Sequence, residues 1–129
     1  MEFLMEINIP EVLAEVTAAH DRYEAALMAN DVAVLDELFW NNELTLRYGI
    51  GEQLYGHDQI AAFRSARSST GLARTTDPVV VTTYGRDFGT ANLEFYRESV
   101  GGIGRQSQSW VRMPEGWRIV AAHVSVIKP

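Results

Sequence analysis

The chain has 129 residues, with 17 acidic and 11 basic side chains for a formal charge of −6, and is 47% hydrophobic. That size suits a single domain spanning residues 1–129 with a modest core, and 10 glycines and 4 prolines in such a composition exclude a long disordered tail. The acidic balance argues against binding nucleic acid through its phosphates. The lack of cysteine removes disulfides, thiolate metal sites and cysteine nucleophiles. No apolar run approaches the roughly 18 residues of a membrane span. The first ten residues hold two glutamates and no basic residue, unlike a secretory leader. A cytoplasmic location is expected.

In chain order, Asn8 with Glu11 three positions later predicts a helix start capped by Asn8, with Pro10 in its first turn. Val12, Val16, Tyr23 and Leu27 then recur at helical spacing, an apolar stripe carrying one phenol. Asn30-Asp31 ends this helix and caps a second, whose buried side is Val32, Leu35, Leu38 and Phe39. Leu44, Leu46 and Tyr48 alternate with Thr45, Arg47 and Gly49, which predicts a short strand. Glycines 49, 51 and 56 read as turn. A third helix is expected over residues 58–66, then a polar connection over 68–78. From Val79 the period becomes two: strands over 79–84, 88–97, 105–112 and 117–127. The turns fall at Gly85-Arg86-Asp87, the loop of glycines 101, 102 and 104, and Met113-Pro114-Glu115-Gly116. Helices first and an antiparallel meander last make an α+β fold, a curved sheet over helices.

Few residues carry a chemical signal. Arg47, on the polar face of its strand, is either an outward arginine in an ion pair or a planar fork that clamps a carboxylate. Tyr23 is either a core tyrosine or a hydroxyl facing Arg47 across a cavity. Arg64, Arg67, Arg74 and Arg86 are candidates for a second anion clamp, Arg74 foremost because its connection can fold over a cavity mouth. His123 and Ser125, placed on one strand face with Trp117, Ile119 and Ala121, are a candidate acid–base and binding pair. His20 and His57 read as surface residues. Three scattered histidines make no zinc motif, and no metal or organic cofactor is expected.

The segment Arg105 to Arg112, with Met113-Pro114-Glu115-Gly116-Trp117-Arg118-Ile119-Val120 and His123 after it, is distinctive. Together with Asn30-Asp31-Val32, Phe39-Trp40 and Arg47-Tyr48-Gly49 it resembles the AtzH/HpxZ-like family over about residues 7–126. That resemblance implies the cone-shaped fold shared with NTF2-like and SnoaL-like proteins, and an oligomer, here a homodimer, formed through the sheet. It also implies a decarboxylating amidohydrolase that converts 1,3-dicarboxyurea into allophanate, in cyanuric acid breakdown or a related oxalurate route. By motif, the family's functional tyrosine and arginine fall on Tyr23 and Arg47. The implied ligand is a small anionic ureide. The alternatives are a different pocket enzyme, such as an isomerase using His123, and a non-catalytic ligand-binding or assembly partner of a larger amidase.

Overall fold

The computed structural model describes residues 4–68 and 70–128. The reading of the chain start and of the 68–78 connection therefore falls partly outside the described residues. Among the described residues, three helices, α1 (Pro10–Ala29), α2 (Val32–Leu38) and α3 (His57–Ala66), pack on one face of a seven-stranded sheet. The strands are β1 (Leu46–Tyr48), β2 (Gln53–Tyr55), β3 (Thr75–Thr76), β4 (Val80–Tyr84), β5 (Phe88–Tyr96), β6 (Ile103–Met113) and β7 (Gly116–Ile127). They run in the order β2-β1-β7-β6-β5-β3, with β4 also on β5. The long β5–β6–β7 meander is antiparallel, while β1 joins β7 in parallel. This is the α+β cone expected from the change of period. Two short strands, β2 and β3, lie where the sequence reads as turn and connection, because both are recruited by neighbours rather than by their own pattern.

The α1 stripe forms as spaced, with Val12, Val16, Tyr23 and Leu27 buried. Asn8 does not cap it. The residue at the cap is Ile9, and no side chain caps the helix. Asn8 instead adopts a φ of 57°. Its amide donates to Thr83 O at 3.0 Å and its Oδ1 accepts from Thr83 N at 2.8 Å. Asparagine tolerates this left-handed geometry, and the segment before α1 is thereby tied to the edge of β4. Asn30 and Asp31 act as the sequence predicts: Asn30 is left-handed at the C-cap, and Asp31 accepts from Val34 N.

His20, expected at the surface, is 3% exposed. It lies four residues after Val16 and three before Tyr23, on the same stripe. The last strand also departs from simple alternation. Ser109 pairs with Ala121, yet the next residue, Trp110, pairs with Ile119. Val120 is thus an extra residue, a β-bulge that reverses the faces beyond it. Trp117 and Ile119 point inward before it, and Ala122 and Val124 point inward after it. His123 and Ser125 are turned to the outer face, not to that of Trp117 and Ile119.

Gly104 is opposite Phe95 in the β5–β6 ladder. A Cβ there would stand 2.2 Å from Phe95 Cζ, so the fully buried Phe95 ring lies over bare backbone. Gly104→Ala is expected to cost about 1–3 kcal/mol through overpacking, measured as a lower urea midpoint with an unchanged m-value.

Candidate functional site

The inner face of β1 is its polar one. Thr45, just before β1, is 1% exposed, and Arg47 is 8% exposed, because the parallel register sets Arg47 beside inward Ala122 and Tyr48 beside outward His123. Arg47 Nη1 donates to Glu52 Oε1 at 2.9 Å across the turn before β2. The lack of a side chain at Gly49 makes room for that carboxylate, since a Cβ would lie 1.9 Å from Oε1. Arg47 is thus ion-paired, as one reading had it, but it faces inward rather than outward.

Tyr23 comes from α1 and Arg64 from α3, four residues after buried Ile60 on the same face. Arg64 is 1% exposed. Its Nη2 is 3.5 Å from Tyr23 Oη, at the outer limit of a hydrogen bond. Its Nε and Nη1 are buried without a hydrogen-bond partner among the described residues. Burial pushes the Tyr23 phenol up, but the charges of Arg64, Arg47 and Arg74 outweigh it and leave the phenol below its ordinary value. The phenolate is therefore unusually accessible for a core tyrosine.

Arg74 is committed elsewhere. Its Nε and Nη2 grip Glu24 at 2.9 and 2.5 Å, and Nη2 also reaches Gln106 Oε1 at 3.1 Å. It is a buried ion pair beside the site, not an open clamp. Arg67, just beyond α3, is freer: Nε and Nη2 are buried and unpartnered among the described residues. Burial first, then the charges of Arg64 and Arg47, bring its pKa down to about 10. Arg97, beyond β5, was not singled out by the sequence. Its Nε is likewise unpartnered among the described residues, and burial followed by Arg74 and Arg47 lowers its pKa. Its signal was parity, since residue 97 follows inward Phe95 by two.

Arg47, Arg67 and Arg97 line one cleft of about 140 Å³ with Glu52, Phe63, Ile50 and Val124. Tyr23 and Arg64 do not line this cleft; the charge of Arg47, which does, is among those that act on the Tyr23 phenol. A larger concavity of about 520 Å³ lies at the start of α3, lined by no arginine, and several of its polar groups are spent internally. There His57 Nε2 meets Asp36 O at 2.7 Å and Tyr55 N donates to Gln59 Oε1 at 2.8 Å. The smaller cleft, which gathers Arg47, Arg67 and Arg97, is the candidate site. His123 and Ser125 have no part in it. His123 packs edge-on against Tyr48, ring centroids 5.7 Å apart, in a shallow depression on the outer sheet face.

Residues 5–129 match the AtzH-like family profile. The chain belongs to the AtzH-like family. A protein of unknown function from the DUF3225 family of Pectobacterium atrosepticum is 61% identical, covers 95% of each chain and superposes with a TM-score of 0.91. A cystatin-like fold protein from Burkholderia xenovorans is 43% identical over 98% of this chain and 99% of its own, with a TM-score of 0.92. An NTF2-like superfamily protein from Salmonella enterica, 26% identical over 92% of this chain and 93% of its own, gives 0.74. The AtzH-like chain thus has the NTF2-like cone expected of it. No curated protein matches it.

The lowered phenol fixes a sign. Because folding favours the Tyr23 phenolate, its contribution to stability is present above the unfolded phenol pKa and is lost as pH falls through the folded one. Tyrosinate absorbance should show one step below the ordinary phenol range. Tyr23→Phe should remove that step and leave the steps of Tyr55 and Tyr96, which hydrogen bonds to Tyr48 and Asp77 hold high.

Proposed function

We propose that this AtzH-like chain is a cofactor-independent decarboxylating amidohydrolase that converts 1,3-dicarboxyurea into allophanate. The observation that carries the reading is an acidic protein with a buried surplus of guanidinium groups around a single acidified phenol. Unpaired buried charge is costly, so such a cluster favours a small polyanion. In this reading Arg47, steadied by Glu52, orients the ureide as a planar fork. Tyr23 Oη gives its proton to the urea nitrogen as the bond from that nitrogen to the departing carboxylate carbon breaks. The bonding pair stays on nitrogen and carbon dioxide leaves. Arg64 stabilises the resulting phenolate. Water returns a proton to it, and the hydroxide hydrates carbon dioxide to bicarbonate. The outer sheet face, with exposed Tyr84, Phe88 and Ile103, is proposed as the homodimer interface, giving His123 and Ser125 a place in assembly rather than catalysis.

Turnover followed by mass spectrometry beside a protein-free blank tests this, because N-carboxylated ureas decay unaided. Tyr23→Phe keeps the ring and should lower kcat about 10²-fold or more while the protein stays folded. Arg47→Lys keeps charge without the fork and should lower kcat/KM by about 10²-fold. Wild-type turnover no faster than the blank, with the ureide still bound, would make the chain a ligand-binding partner of a larger amidase.

A further inference from the structure

Five inward guanidinium groups, those of Arg47, Arg64, Arg67, Arg74 and Arg97, sit near two carboxylates. Glu52 answers Arg47 and Glu24 answers Arg74. Arg64, Arg67 and Arg97 are left without an acidic partner among the described residues. They differ in depth. Arg64 is fully buried against Tyr23 and Phe39, its Cζ 5.0 Å from the Phe39 ring centroid. Arg67 and Arg97 are on the cleft wall. Arg67 Nε and Nη2 and Arg97 Nε have no hydrogen-bond partner among the described residues. Each is held instead against an aromatic face, Arg67 Cζ 5.9 Å from the Phe63 centroid and Arg97 Cζ 5.2 Å from that of Phe95. An aromatic face positions a guanidinium without using its N–H donors, so these donors are not spent on a protein acceptor among the described residues.

We propose that Arg67 and Arg97 form an outer carboxylate subsite, which makes the pocket selective for linear dianions and sets the direction of the substrate. The retained carboxylate lies between Arg67 and Arg97. The chain of the substrate passes Arg47, and the carboxylate that departs lies inward at Tyr23 and Arg64. This rests on the activity proposed above for its direction, but the subsite itself is a statement about binding. It assigns Arg97 a role in specificity. A monoanion leaves one of the two arginine sites unanswered, and a dianion of the right length answers both.

Glutarate is the probe, because its five-carbon chain matches the five-atom chain of 1,3-dicarboxyurea and is chemically stable. Butyrate is the control with one carboxylate removed. Calorimetry on the full-length protein should show wild type binding glutarate at least tenfold more tightly than butyrate. Arg97→Gln and Arg67→Gln should each lower glutarate affinity by roughly tenfold or more, the scale of a lost charged hydrogen bond, and leave butyrate affinity nearly unchanged. Arg97→Lys, which keeps the charge, should recover only part of the loss. Thermal melts confirm that each variant is folded. Glutarate bound equally by wild type and by folded Arg97→Gln overturns the proposal. So does a wild type that does not distinguish glutarate from butyrate, or an equal loss of both anions in the variants. The two readings separate cleanly: intact turnover of 1,3-dicarboxyurea in Arg97→Gln with unchanged KM removes the subsite and keeps the enzyme, while dianion selectivity without wild-type turnover keeps the subsite and removes the enzyme.

Discussion

Positive charge confined inside an acidic chain is the constraint on which this structure depends. The formal charge is −6, yet five arginines crowd the interior end of the cone. Guanidinium suits that role better than ammonium. A buried lysine escapes its desolvation cost by losing a proton, whereas arginine stays charged at any neutral pH. Even Arg67, brought down to about 10, is a cation under physiological conditions. The charge is thus a permanent feature of the pocket.

What holds the cluster together without neutralising it is aromatic surface. Phe63 serves both Arg47 and Arg67, Phe95 serves both Arg74 and Arg97, and Tyr23 and Phe39 serve Arg64. Each contact is worth about 0.5–2 kcal/mol, small against the cost of burial, but it fixes where each fork points. The support reaches into the backbone. Phe95 can carry two arginines because its ring occupies the space left by Gly104. A glycine in one strand therefore governs cations on two other elements, and the site depends on the register of the β5–β6 ladder.

The same register divides the sheet into two working faces. The bulge at Val120 sends Ala122 and Val124 inward, against the arginine pocket, and turns His123 outward beside Tyr48. Small inward residues on β7 leave room for the long side chain of Arg47, their direct neighbour in the parallel pairing. Without the bulge, Ala121 would stand where Ala122 does and His123 where Val124 does, which would put an imidazole on the wall of the arginine cleft.

Periodicity alone determined much of this protein. The α1 stripe, the Asn30-Asp31 junction and the alternating second half follow from short-range sterics and hydrogen bonding, which a sequence carries locally. Tyr23 and Arg47 were legible as candidates because a phenol on an apolar stripe and an arginine on a strand are local anomalies. Tertiary structure decided which anomalies meet. Asn8 left its expected cap because Thr83, 75 residues away, offered its backbone pairing. His20 was buried by its helical phase despite its polarity. Arg74 was claimed by Glu24, and Arg97 was brought into the same cleft as Arg67. These outcomes hinge on register and on one inserted residue, and a one-residue change of register reverses every side chain beyond it while leaving the local pattern of the sequence unaltered.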